Sequence, residues 1–279
     1  MMMKLADLHI HTHYSDSTSP PEEVIEQAHQ NGLNCIAITD HDTIDGINPT
    51  RQAAEKYNIE VITGVELSAE KNGRDVHILG YLFDHSSKKF LTQLEIMQET
   101  RVTRMAQMIE KLKKFGVNNI ELKEVCDLAK SKSVGRPHLA LLLKEKGWVA
   151  DLKVAFDKYL AEGAAAYVPK FKLATEDAIK LIHNAGGVAV LAHPMVMNMD
   201  EIISPLVKEG LDGLEVYYTN TTETVINFYK GLAEKHNILM TGGSDAHGKA
   251  KKNTFVGKVK IPYELVEAMK NYKEKRNHV

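Results

Sequence analysis

Short apolar runs alternate with amphipathic stretches along most of the chain. Residues 4–11 (KLADLHIH) open the series with an alternating strand pattern, and 34–39 (NCIAIT), 60–67 (EVITGVEL), 75–83 (DVHILGYLF), 188–192 (VAVLA), 213–217 (GLEVY), 238–241 and 256–260 continue it. Helical periodicity falls between them, at about 20–31, 44–57, 175–185, 200–209, 222–236 and 262–273. The first of these helices carries a start signature, with Ser19 as N-cap, a proline at the first helical position and Glu22 closing a capping box, and Gly32 as its stop. Strands that alternate with helices in this way predict an α/β fold with a largely parallel sheet.

The pattern breaks after Phe83. From about 88 to 146 only helical periodicity remains, opening with a long stretch whose apolar positions Phe90, Leu94, Met97, Met105, Met108, Leu112 and Phe115 keep helical spacing. Arg101 stands where one more apolar residue would fall, and Gly116 ends the stretch. Shorter helices are expected at 121–131, 137–146 and 152–161. The Met-rich stripe reads as core packing, since methionine fills irregular apolar gaps. Residues 84–165 are therefore expected to be a helical insertion into an α/β body formed by 1–83 and 166–279, with the body resuming at Tyr167-Val168-Pro169-Lys170.

Composition narrows the class. At 279 residues, 43% hydrophobic and 26% charged, the chain can bury a large core as one or two domains. No apolar run approaches the ~20 residues of a membrane span, and the N-terminus passes directly into strand pattern without a leader-type apolar region. Cys35 and Cys126 lack framework spacing and read as free buried thiols of a reducing compartment, so a cytoplasmic protein without a membrane partner is expected. The net charge of −2 conceals an asymmetry: residues 86–146 hold 13 Lys or Arg against 7 Asp or Glu, a local +6 that leaves −8 elsewhere. An acidic body carrying a basic segment suits a metal site covered by an anion-binding cap.

Candidate metal ligands follow the strands. Side chains two apart on a strand share a face, so His9 and His11 project together at the end of the first one. His41 follows NCIAIT, Glu66 closes VITGV, His193 follows VAVLA, and Asp245 with His247 follows the strand at 238–241. In parallel α/β barrels the carboxyl ends of the strands build the active site, so these scattered residues can converge on one face. Of the 13 histidines, those at 29, 85, 183, 236 and 278 lie on helices, loops or the tail and read as surface or packing residues.

Taken as a set, Asp7-Leu8-His9-Ile10-His11 with Ser15-Asp16, Thr39-Asp40-His41-Asp42, Gly64-Val65-Glu66, His77 in HILGY, Ala192-His193-Pro194 and Gly243-Ser244-Asp245-Ala246-His247 resemble the motifs of the PHP (polymerase and histidinol phosphatase) family. The resemblance implies a distorted seven-stranded (β/α) barrel with a trinuclear site for two to three divalent ions, manganese first, with iron or zinc as alternatives. By motif, one ion falls to His9, His11, Glu66 and Asp245, a second to Glu66, His77 and His193, and a third to Asp16, His41 and His247. His13 shares the parity of His9 and His11 but occupies no ligand position of the family. Ser17 replaces the glycine common after Ser-Asp, and Asp40 and Asp42 are expected to orient His41 or cap the next helix. Six imidazoles and three carboxylates exclude a purely oxygen-liganded calcium site. Such ions lower the pKa of a bridging water toward ~7 and neutralise phosphoryl charge, so in-line attack of a metal-bridging hydroxide on phosphorus is the expected reaction.

Gly135-Arg136-Pro137-His138-Leu139-Ala140 resembles a motif of the branch that dephosphorylates nucleoside 3',5'-bisphosphates or trims short RNA from the 5' end. Arg136, with His138 and Lys170, is expected to hold the phosphate that is not cleaved. Tyr217 and Tyr218 at a strand end could stack on a base or simply pack. The expected function is removal of the 3'-phosphate of a nucleoside 3',5'-bisphosphate. Alternatives are 5'-3' trimming of short RNA, histidinol phosphatase activity, against which the insertion argues, and a non-catalytic metal-binding module. The expected partner is a small nucleotide or short oligonucleotide rather than long duplex nucleic acid.

Overall fold

The computed structural model describes residues 3–251 and 253–277. Its strands are β1 (Leu5–Ile10), β2 (Cys35–Ile38), β3 (Glu60–Lys71), β4 (Arg74–Tyr81), β5 (Leu173–Ala174), β6 (Val188–Leu191), β7 (Gly213–Tyr218), β8 (Leu239–Gly243) and β9 (Ile261–Pro262). The α-helices are α1 (Pro21–Gln30), α2 (Ile47–Ala54), α3 (Lys88–Lys113), α4 (Leu122–Ala129), α5 (Arg136–Glu145), α6 (Leu152–Ala155), α7 (Thr175–Asn184), α8 (Pro194–Met197), α9 (Ile203–Lys208), α10 (Glu223–His236) and α11 (Tyr263–Asn277).

The strands form one sheet in the order β8-β7-β6-β4-β3-β2-β1-β9, with β5 paired to β3 off this path. The two ends approach each other where Ile10 bridges Ala246 in parallel, His11 N donates to Ala246 O at 3.1 Å and Asp245 N donates to His9 O at 2.8 Å. The fold is thus an α/β barrel, nearly closed, of seven principal strands, as expected. One strand distorts it: β4 runs antiparallel to both β3 and β6. Asn72 and Gly73, both at positive φ (54° and 74°), make the two-residue hairpin that reverses the chain there. This Asn-Gly turn extends β3 to Lys71, four residues beyond its expected end.

All four residues of β2 (CIAI) and of β6 (VAVL) are buried, as in strands with apolar contacts on both faces. Alternate residues of β2 serve different cores. Ile36 and Ile38 join Val24 and Ile25 of α1 in the largest cluster, whereas Cys35 and Ala37 join Leu8, Val190, Val266 and Met269. A third cluster draws on residues 105–166 alone, including Met105, Met108, Leu112, Leu139, Leu143 and Leu160. Helix α3 serves both regions, since its Phe90, Leu94 and Met97 pack on the barrel cluster.

Several elements differ from expectation. Ser19 does not cap α1: Pro20 is the N-cap without a side-chain bond, and Ser19 Oγ donates to Glu23 Oε1 at 3.1 Å. Helix α2 starts only at Ile47, after the turn that follows His41. Residues 256–260 form no strand, because Gly257 N donates to Asp7 Oδ2 (2.8 Å) and Asn31 Nδ2 donates to Val256 O (3.0 Å), which occupies groups a ladder would use. The short β9 pairs antiparallel with β1 instead. Residues 200–202 form a 3₁₀ turn before α9, and 156–160 form a π-helical turn after α6. Phe115 lies past the end of α3 and is 55% exposed, while Arg101 is only 8% exposed. Both cysteines are free, but Cys126 is half-buried rather than buried. Helix α11 continues to Asn277, past its expected end at 273, and His278 lies outside the described residues. Among the described residues no helix is long and apolar enough to cross a membrane.

Candidate metal centre

Glu66 is the hub of the site. Its Oε2 lies 3.3 Å from His9 Nε2, 3.2 Å from His11 Nε2 and 3.2 Å from His41 Nδ1, and its Oε1 lies 2.7 Å from His77 Nδ1 and 3.0 Å from His193 Nε2. Asp245 Oδ1 approaches His11 Nε2 and His247 Nδ1, both at 3.3 Å, and Asp16 Oδ1 reaches His247 Nε2 at 3.1 Å. The structure therefore gathers all nine predicted residues into one cluster. Glu66 sits within β3 rather than at its end. Because β4 runs opposite to its neighbours, His77, early in β4, reaches the rim formed by the ends of β1, β2, β6 and β8.

Three subsets have ligand atoms mutually within 4.8 Å: His11, Asp16, His41 and His247; His9, His11 and Glu66; and His41, Glu66 and His77. His11 and His41 thus keep their motif-based groups and each joins one further subset. Asp16 Oδ1 and the Nδ1 atoms of His41, His77 and His193 are buried and make no well-directed hydrogen bond, since the close approaches to Glu66 and His247 lack hydrogen-bond alignment. Buried polar atoms are normally paired, so four orphans converging in one place fit a site built for cations. The donor set suits manganese, iron or zinc.

Charge tells the same story. Burial pushes the Glu66 carboxyl up, but His41, His77 and His9 outweigh it and hold the group well below the usual carboxylate range. Asp16 and Asp245 are likewise depressed against the effect of burial, with His247 the largest opposing charge on each. Burial lowers the His11 imidazole, yet bonds to Asp245 and Glu66 raise it to about 10. The ionised carboxylates draw positive charge into the pocket. Backbone strain accumulates here too, with Asp42, His193 and Asp245 at φ of 52°, 30° and 49°.

The supporting contacts were only partly foreseeable. Asp40 does not orient His41; it accepts from Thr12 N (2.7 Å), Thr12 Oγ1 (2.6 Å) and Ser15 Oγ (2.5 Å), pinning the loop after β1. Asp42 caps no helix and instead accepts from Ser68 N (2.7 Å) and from Arg101. Glu215, which sequence reasoning missed, is fully buried on β7: its Oε1 accepts from His9 Nδ1 (2.9 Å) and its Oε2 from His193 N (2.8 Å). A glutamate inside the apolar run GLEVY was the available signal. Tyr218 OH donates to Asp245 Oδ2 at 2.6 Å, and Lys251 Nζ also bonds to that oxygen.

The cluster lies in a cavity of about 890 Å³, which residues of the helical segment share. His41, Glu66, His77, His193, Asp245 and His247 line it together with Leu128, Leu141, Leu152 and Phe156, and Lys130, Lys144 and Lys249 are among the lining residues. None of these three lysines has a carboxylate within 4.0 Å among the described residues. Of the predicted substrate contacts Arg136, His138, Lys170, Tyr217 and Tyr218, only His138 and Tyr218 line the cavity. His138 Nδ1 accepts from Gly135 N at 3.0 Å. Arg136 donates to Leu160 O at 3.2 Å, Lys170 donates to Ser68 Oγ, and Tyr217 packs on the barrel cores. Two of the histidines set apart in the sequence have partners elsewhere: His183 pairs with Asp212 (2.8 Å), and the His29 ring lies tilted against Tyr57 at 4.7 Å.

A nearly closed α/β barrel with buried imidazoles and carboxylates at one rim defines a metal-dependent hydrolase. Comparison with known proteins sharpens the class. The PHP domain model matches residues 7–275. The chain is 35% identical over 254 residues to a 5'-3' exoribonuclease of Haemophilus influenzae, covering 88% of this chain and 91% of that one. It is 31% identical over 258 residues to the 3',5'-nucleoside bisphosphate phosphatase of Chromobacterium violaceum, covering 90% of each. A solved structure from Bifidobacterium adolescentis, described as a metal-dependent phosphoesterase, superposes with a TM-score of 0.86 at 30% identity, covering 95% of this chain and 94% of that one. The chain belongs to the PHP family and is a metal-dependent phosphoesterase.

Proposed function

We propose that the protein hydrolyses a phosphate monoester of a nucleotide, the 3'-phosphate of a nucleoside 3',5'-bisphosphate, at the cluster centred on Glu66. The observation that carries this reading is the cavity, lined by metal-competent residues, apolar side chains and three lysines that pair with no carboxylate among the described residues. Its volume falls within the roughly 300–1,000 Å³ of small-molecule sites. The relatives support the substrate class, one being named a bisphosphate phosphatase and another an exoribonuclease.

In this reading His9, His11, Asp16, His41, Glu66, His77, His193, Asp245 and His247 hold two to three divalent ions, with manganese the first choice. Such ions supply Lewis acidity and lower the pKa of a coordinated water toward ~7. Glu215 holds His9 by its Nδ1 proton, so that Nε2 is presented to the site. Residues 84–165 act as a cap, and Lys130, Lys144 and Lys249 with His138 attract the phosphate that is retained. A reducing, cytoplasmic setting agrees with two free cysteines.

Phosphate release from adenosine 3',5'-bisphosphate, mononucleotides, histidinol phosphate and short RNA by the metal-loaded protein tests this, and turnover of no nucleotide would refute it. Trimming of short RNA is the second reading. It is favoured by a cavity volume near the upper end of that range, and the same assay separates it.

A further inference from the structure

We propose that Phe156 is the platform on which the nucleobase of the substrate stacks, and that Arg136 is a positioning residue behind this ring rather than a clamp on phosphate. The inference rests on the nucleotide reading above and extends it to the part of the cavity lined by the helical segment.

Phe156 occupies an unusual place in the backbone. The short helix α6 passes at this residue into a π-helical turn spanning Phe156–Leu160, closed by Ala161 N donating to Phe156 O at 2.8 Å. Such turns are rare and recur at functional sites, because the extra residue re-aims side chains. Here Tyr159 and Leu160 go into the core of the cap, while Phe156 is left half-buried on the cavity wall.

Arg136 explains how the ring is held. Its guanidinium lies over the Phe156 ring at 5.7 Å and over the Tyr167 ring at 5.9 Å, and Nη1 donates to the carbonyl of Leu160, the last residue of the π turn. A cation over an aromatic face is attractive, and a planar guanidinium suits stacking better than an ammonium. These contacts engage Arg136 away from the cavity, which it does not line. Its first-turn position on α5 therefore serves the turn beside it.

The surroundings select the ligand. Leu128, Leu141 and Leu152 line the same cavity as Phe156, together with Lys130, Lys144, Lys249 and the metal-competent residues. An aromatic surface beside cationic groups matches a nucleotide, with a planar base and anionic phosphates, better than a sugar phosphate, which offers no apolar face.

The test compares a nucleoside 3',5'-bisphosphate with ribose 3,5-bisphosphate, which keeps both phosphates and lacks the base. Binding to the metal-free protein is read by calorimetry, and turnover by phosphate release after metal loading. Phe156→Leu keeps the apolar volume that packs on the cap core and removes the aromatic face. It is expected to raise KM and Kd for the nucleotide about tenfold with kcat within twofold, and to leave the base-free substrate unchanged. Phe156→Trp should restore nucleotide affinity. Arg136→Ala should reproduce the base-dependent loss, and the double variant should be no worse than either single one. Equal loss for both substrates in Arg136→Ala, with rescue by Arg136→Lys, would make Arg136 a phosphate clamp and overturn the proposal. So would an unchanged nucleotide Kd in Phe156→Leu, or equal wild-type affinity for the two substrates. Wild-type protein that neither binds nor cleaves the nucleotide would refute the nucleotide reading itself, and the platform with it.

Discussion

Arg101 and Asp42 join the helical segment to the metal-competent rim through a buried ion pair. Arg101 donates to Asp42 Oδ2 from Nε at 2.7 Å and from Nη2 at 2.5 Å, and Asp42 directly follows His41 in the chain. Gln98 Nε2 donates to Asp42 O at 2.9 Å, and Ser133 Oγ donates to His41 O. Three residues of the helical segment thus grip the two-residue stretch that carries a candidate ligand. Burial pushes the Asp42 carboxyl up, but Arg101, Lys170 and the bond from Ser68 N together outweigh this and hold it well below the usual carboxylate range.

Removing one partner leaves the other buried and uncompensated. Arg101→Met is expected to cost about 3–5 kcal/mol of stability, whereas Arg101→Met with Asp42→Asn should cost less than the single change. Urea unfolding of the four proteins in the cycle measures this. Because the depressed Asp42 pKa contributes stability above its unfolded value and loses it as pH falls, Arg101→Met should also flatten the acid limb of the stability profile.

Glu215 should matter for metal binding more than for folding of the barrel. Glu215→Gln keeps the shape but loses the charge that fixes His9 by Nδ1. Partners of this kind typically contribute 10–100-fold to metal affinity. Titration calorimetry with Mn²⁺ is expected to show a loss of that order, and unchanged affinity would exclude this role.

Lys170 gives a pH signature. Burial lowers its ammonium first and the Arg101 charge adds to this, bringing the pKa from the usual lysine value down to about 7. Between about 7 and that ordinary value the unfolded chain binds more protons than the native state, so this group makes stability rise with pH. Lys170→Met should reduce the slope of unfolding free energy against pH across that window, as measured by denaturant midpoints.

Gly243 is the point where β8 meets β1. A Cβ there would collide with the backbone N and Cβ of His9, atoms that cannot turn aside as a flexible side chain would. Gly243→Ala is expected to cost about 1–3 kcal/mol and to push the strands apart where His9 and Asp245 approach. Thermal unfolding together with metal stoichiometry checks both consequences.

Much of this protein can be read one residue at a time. The strand period placed His9 and His11 together, and the loops after β2, β6 and β8 placed His41, His193, Asp245 and His247, because each lies within a few residues of the strand that carries it. The anomaly at Arg101 was visible as a charge in an apolar stripe, though nothing local named Asp42 as its partner. The Asn72-Gly73 hairpin was written in the chain as well, and overlooking it hid both the length of β3 and the direction of β4.

What the sequence by itself determined is the inventory of strands, helices and metal-competent side chains, since burial periodicity and turn chemistry are local. Only the tertiary structure decided that Glu66 touches five imidazoles, that Glu215 stands behind His9, and that Arg136 faces an aromatic ring. These pairs are set by strand order and by the packing of the helical segment on the barrel. Their residues lie from 11 to more than 200 positions apart, and no local pattern encodes a contact across such a distance.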